Sequence, residues 1–157
     1  MTFEKRIREM VNAVERGDGE AVAACFTTDG IYHDVFYGDF KGADIARMIN
    51  EYFYRDADDF RWDIHDAVEQ GARGYARYVF SYRPKQAQTA DDQPSRTMFE
   101  GVAICRMENG LIADYAEIAN AAVGLHGMGF PPQRLAKFIA KQSGELKARS
   151  ESRRHID

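Results

Sequence analysis

The spacing of apolar residues changes once along this chain, and that change restricts the fold more than any other feature. Phe3, Ile7, Met10, Val11 and Val14 recur every three or four positions, the mark of an amphipathic helix, and Gly17 stands where a helix C-terminal glycine belongs. Asp18 is placed to cap a second short helix reaching Phe26, with Ala21, Val22, Cys25 and Phe26 as its apolar residues. Gly42-Ala43-Asp44 opens a third helix with a stripe of Ile45, Met48, Ile49, Tyr52 and Phe53; Arg55-Asp56-Ala57-Asp58-Asp59 then reads as a solvated acidic loop.

Beyond it the period becomes two. Strands are expected over 31–37 in the helical half and over 60–68, 74–82, 97–107 and 111–121 after it, with tight turns at Gln70-Gly71 and Asn109-Gly110. A polar connection over 84–95 is too long for a minimal hairpin and is expected to be mobile. Pro131-Pro132 starts a last helix carrying Leu135, Phe138, Ile139 and Leu146. From Lys147 the chain is dense in charge, so the reading is one folded domain over 1–146 and a disordered tail over 147–157.

Composition narrows the function. With 157 residues, 45% of them apolar, the chain can bury a full core. A net charge of −4 with dispersed basic residues argues against a nucleic-acid partner. The N-terminus is charged at once and no apolar run approaches a membrane span, so a cytoplasmic protein without membrane contact is expected. Cys25 and Cys105 fit apolar faces as free thiols. The four His are scattered, and no Cys-x-x-Cys, Walker or Gly-x-Ser-x-Gly pattern occurs; neither metal nor cofactor is expected.

Helices followed by a run of antiparallel strands imply an α+β fold, with three N-terminal helices closing a curved sheet into a cone around a pocket. The order of elements resembles the cystatin-like α+β barrel of the nuclear transport factor 2-like superfamily. Four local motifs resemble its SnoaL-like branch: Val14-Glu15-Arg16-Gly17-Asp18, Thr28-Asp29-Gly30-Ile31-Tyr32-His33-Asp34, Lys41-Gly42-Ala43-Asp44-Ile45 and Glu108-Asn109-Gly110-Leu111-Ile112. The resemblance covers about 3–121 and leaves the C-terminal helix as an extension.

Asp34 is the leading candidate for chemistry, its alternative role being a cap on the irregular 37–42 segment. Alternation puts it with Tyr32 and Phe36 on one face, where poor solvation raises a carboxyl pKa toward a value useful for a general base. The resemblance adds that ketosteroid isomerases carry their catalytic Asp at the matching place, a case that is itself a standard worked example of pKa tuning. It also implies that their oxyanion-hole tyrosine and protonated Asp fall on Met10 and Ala103, which cannot donate, so steroid isomerisation is not expected. The family register turns Tyr115 and Glu117 inward as donor and second acid; Glu117 has an ion pair with Arg77 or Arg106 as its alternative fate. Arg61, Asp63 and His65 share one strand face, opposite Phe60, Trp62 and Ile64; the Arg–Asp spacing resembles the limonene-epoxide hydrolase branch, and His65 is either a further acid–base candidate or a solvated or ion-paired strand histidine. His33, on the face opposite Asp34, reads as structural.

Trp62, Tyr78, Phe80 and Phe99 would form the pocket wall with Tyr32, Met10, Met48 and Tyr52, while Ala103 leaves room for a ligand. These features, with the resemblance, imply a cofactor-independent enzyme of isomerase, cyclase, dehydratase or hydrolase type on a small hydrophobic molecule. The alternatives are a non-catalytic binder of such a ligand, or an interaction module. A homodimer through the outer sheet face is implied by the resemblance.

Overall fold

The computed structural model describes residues 1–86 and 95–157, so most of the expected polar connection lies outside the described residues. Helix α1 (Phe3–Glu15) starts at Thr2, whose side chain accepts the Lys5 N–H at 3.3 Å, and it buries the five apolar residues of its stripe. It ends at Gly17, whose φ of +70° suits only glycine without strain. Tyr54 donates its hydroxyl to the freed Val14 carbonyl at 2.6 Å. Helix α2 (Gly19–Ala24) has the expected cap, with Asp18 accepting from the Ala21 N–H at 3.0 Å.

Strand β1 (Phe26–Asp34) begins earlier than its apolar alternation suggests, and a short strand β2 (Gly38–Lys41) folds back antiparallel on it. The third helix is less regular than its stripe implies: α3 (Asp44–Arg47) widens into a π-helical segment (Met48–Phe53) and closes in α4 (Tyr54–Asp56). The expected acidic loop is instead the start of strand β3 (Ala57–Gln70). Asp59, at φ +50° in a register shift, pairs with Arg83 at 3.1 Å, Arg61 at 3.7 Å and Arg96. That carboxylate stays exposed and is ion-paired laterally to three arginines.

Strands β4 (Arg73–Pro84), β5 (Thr97–Glu108) and β6 (Leu111–Ala119) complete one curved, open six-stranded sheet in the order β2-β1-β6-β5-β4-β3. The two expected tight turns form, with Asn109 and Gly110 at φ +52° and +77°. All pairs are antiparallel except β1 with β6, which is parallel and matches Tyr32 to Tyr115. Helices α1 to α4 bury Phe3, Ile7, Met10, Val14, Val22, Ile45, Met48 and Ile49 against its concave side. Cys25 and Cys105 are buried free thiols.

The C-terminal part departs most from its sequence reading. The last strand stops at Ala119, and a helix α5 (Ala121–Gly127) packs on β5, with the Thr97 hydroxyl donating to the Gly124 carbonyl at 2.5 Å. Helix α6 (Pro132–Ala148) follows with proline in its first turn and contains no fully buried residue. In place of a frayed tail, Ser150–His155 form a 3-10 turn, and the Ser152 hydroxyl donates to the Leu146 carbonyl at 2.6 Å. Among the described residues no helix is long and apolar enough to cross a membrane.

Candidate active site

The concave side of the sheet leaves a cavity of about 580 Å³. Strand alternation supplies its wall: Tyr32 and Asp34 from β1, Trp62 from β3, Tyr78, Phe80 and Tyr82 from β4, Phe99 from β5 and Glu117 from β6. Rings meet edge to face here, Trp62 with Tyr78 at 5.6 Å and Phe80 with Phe99 at 5.4 Å, so the wall is an aromatic box. The roof comes from the C-terminal extension, through Leu125, Met128, Phe130, Phe138 and Lys141.

Asp34 ends β1, and its Oδ1 accepts two backbone N–H groups, from Phe36 and Tyr37, each at 2.9 Å. It therefore both caps the 35–37 turn and faces the cavity. The turn consumes one carboxylate oxygen; no side chain or backbone N–H among the described residues bonds Oδ2. Burial raises the pKa to about 6, even against the lowering effect of the two N–H groups.

Glu117 lies two residues beyond the Tyr32–Tyr115 pair on β6, as Asp34 does on β1, so the two carboxyls sit side by side on one face of adjacent strands. Its Oε2 accepts the hydroxyls of Tyr78 at 2.7 Å and Tyr115 at 2.8 Å. Burial first, and then the charge of Asp34, raise its pKa to about 7, although the two phenols favour the carboxylate. Among the described residues neither acid has an ion-pair partner: Arg77 pairs with Asp66 at 3.0 Å and Arg106 with Glu108 at 3.5 Å, in place of the structural ion pair considered for Glu117.

Tyr115 does not reach the cavity surface. It is completely buried, stacked on Tyr32 with ring centroids 4.4 Å apart, and acts on Glu117 from behind. His65 is corrected outright: Trp62 and Ile64 point inward on β3, so His65, with Arg61 and Asp63, is exposed on the far face. The hydrolase-like Arg–Asp spacing therefore contributes nothing to the cavity. Met10, Met48 and Ala103 are fully buried core residues behind the wall, and Tyr52 packs on Phe40 and Tyr37 outside it. His33 bridges Asp39 at 2.7 Å and Asp114 at 3.2 Å outside the cavity wall, an ion-paired structural role.

The sequence reading missed the roof and the mouth. Phe130, Phe138 and Lys141 carry no signal that links them to Asp34, because only the chain reversal at Pro131-Pro132 brings α6 over the cavity. At the mouth Arg55 grips Asp56 through two bonds, 2.7 and 2.9 Å, and Tyr37 donates to Asp56 at 2.7 Å. Trp62 Nε1 is the one buried side-chain polar atom among the described residues without a hydrogen-bond partner. No group of three or more His, Cys, Asp or Glu among them is placed to hold a metal.

Helices packed on the concave side of one curved, open sheet make this an α+β fold. Residues 7–115 match the model of the SnoaL-like domain, and the chain belongs to that family. Among curated proteins none matches it in sequence. Its fold is similar to a protein of Catenulispora acidiphila with a ketosteroid isomerase-like fold, solved in complex with trimethylamine: TM-score 0.71, 17% identity, 83% of this chain and 96% of that one covered. It is also similar to a limonene-epoxide-hydrolase-like epoxide hydrolase of Mycobacterium tuberculosis, with TM-score 0.63, 16% identity and coverages of 79% and 86%. IdmH of Streptomyces antibioticus, named as a candidate polyketide cyclase, gives TM-score 0.65, 16% identity and coverages of 81% and 98%. At such identities the likeness extends to the fold alone.

Proposed function

We propose that the chain is a cofactor-independent enzyme that moves a proton on a small hydrophobic molecule, with Asp34 as base and Glu117 as acid. The observation that carries this is the adjacent pair of carboxyls, without a cation, opening into an aromatic cavity. Between pH about 6 and about 7 the pair holds one proton, favoured on Glu117, whose pKa is the higher. Asp34 Oδ2 then accepts a proton from the substrate while Glu117 returns one to a developing oxyanion or carbanion. Tyr78 and Tyr115 hold the Glu117 carboxyl in place through both states. Activity should follow a bell in pH with limbs near these two values.

Ring opening of a nitro-activated benzisoxazole, which any positioned carboxylate base in an apolar cavity accelerates, tests this without knowledge of the natural substrate. Asp34→Asn should slow that reaction by about 10²–10⁴-fold, the usual weight of a general base. An unchanged rate in this variant would remove Asp34 from the mechanism.

We infer further that two copies pair through the outer sheet face. There Val102 and Ile118 are matched across β5 and β6, and with Tyr75 on β4 they stay 37%, 64% and 42% exposed. A monomer at micromolar concentration in sedimentation would exclude the pairing.

A further inference from the structure

We propose that the cavity selects a hydrophobic ligand carrying a positively charged amine, held between the free oxygens of Asp34 and Glu117 and the faces of the aromatic box. This rests on the cavity being the reaction site, and names the class of molecule it takes.

Two acids lie side by side at the inner end of the cavity, and no salt bridge among the described residues reaches either of them. Each spends one oxygen internally, Asp34 on the turn N–H groups and Glu117 on two phenols, and among the described residues nothing hydrogen-bonds the other oxygen of either. The surrounding rings, Phe36, Trp62, Tyr78, Phe80 and Phe99, meet one another at 59–82° and so turn both faces and edges to the interior. A box of ring faces beside a carboxylate is the arrangement that recognises alkylammonium groups.

A neutral ligand would leave the repulsion between the acids in place, and an anion would add to it. A cation relieves it while the rings replace its lost water. The cationic groups of the lining do not compete. Arg55 at the mouth is held by Asp56, and Lys141 in the roof by Glu145 at 3.5 Å, both as exposed ion pairs. The remaining titratable groups around the pair, Tyr32, Tyr37, Tyr78, Tyr82 and Tyr115, are all kept neutral by burial.

The test compares benzyltrimethylammonium with its carbon isostere neopentylbenzene and with 3-phenylpropionate, by calorimetry and by the fluorescence of Trp62, the single tryptophan of the chain. At pH 8 the cation should bind about tenfold or more tightly than the neutral isostere, and the anion more weakly than either. At pH 5, with both acids protonated, the preference should shrink to about twofold. In Asp34→Asn/Glu117→Gln at pH 8 the preference should likewise fall to about twofold while neopentylbenzene still binds, which also shows that the variant is folded. Equal or tighter binding of the neutral probe overturns the inference and leaves the cavity as the site. So does a tenfold preference that survives undiminished in the double variant, since the cation then sits elsewhere. Binding of none of the probes overturns the cavity reading along with it.

Discussion

Replacing Asp34 by Asn should stabilise this protein at alkaline pH while destroying the proposed base. The carboxyl has a pKa near 6 in the folded chain against 3.8 in its ordinary state, so the folded state holds the proton more tightly. Its contribution to stability is intact below pH about 4 and is lost as pH rises through about 6. At 1.36 kcal/mol per pKa unit the full cost at pH 8 is about 3 kcal/mol, falling to about 1.5 kcal/mol where cavity water hydrates the carboxylate. Asparagine keeps the oxygen that accepts from Phe36 and Tyr37 but cannot ionise. The variant should therefore melt about 3–12 °C above the parent at pH 8, with the gain falling to about 0.5 kcal/mol at pH 4. Paired urea and thermal melts at the two pH values read this directly. A variant no more stable than the parent at pH 8, or one with the same gain at both, would refute the argument that burial strains this carboxyl.

Glu117 should respond in the opposite sense to two changes. Its pKa, followed by carbon NMR of the labelled carboxyl, should fall in Asp34→Asn because that charge helps to raise it. It should rise by about one unit in Tyr78→Phe or Tyr115→Phe, each of which removes a hydroxyl that stabilises the carboxylate, and the alkaline limb of the activity profile should move with it. Gly101→Ala places a methyl 2.6 Å from the Tyr78 hydroxyl and 2.8 Å from the Ile118 carbonyl; a loss of about 1–3 kcal/mol in denaturant unfolding is expected, with Tyr78 pushed off Glu117. Thr2→Ala should cost about 1 kcal/mol or less through the lost cap of α1, with no effect on ligand binding.

What the sequence revealed follows the range of the interactions involved. The caps at Thr2 and Asp18 act within three residues; the hairpin glycines and the alternation that turns Trp62, Tyr78 and Phe80 inward act within a strand. Asp34 was legible because a lone acid in an aromatic strand is locally conspicuous. Its role as a turn cap was not an alternative to facing the cavity, since one oxygen serves each. The parallel match of β1 to β6 has no local signal, so the adjacency of Asp34 and Glu117 followed only from resemblance. Residue type also failed to separate wall from core: Met10, Met48 and Tyr115 point inward but stop one layer behind the cavity. The alternation that turns Trp62 inward also turns His65 out with Arg61 and Asp63, so of its two readings the solvated strand histidine is the one that fits the register. The roof of α5 and α6 was hidden because glycine-rich stretches such as Gly124 to Gly129 read as loops, although small residues are what let a helix lie closely on Phe99.

The pairing of β1 with β6 also orders the events of folding. It joins strands about eighty residues apart in sequence, whereas β3 to β6 meet through neighbours along the chain. Loop closure over such a span costs more chain entropy than closing a hairpin, so this seam is expected to form after the hairpins. Only this step brings Asp34 beside Glu117. The repulsion between them therefore arises at the closing of the sheet, and alkaline pH should retard that closure while leaving hairpin formation untouched. A chain that has formed every hairpin but not this seam would show most of its secondary structure and none of its site.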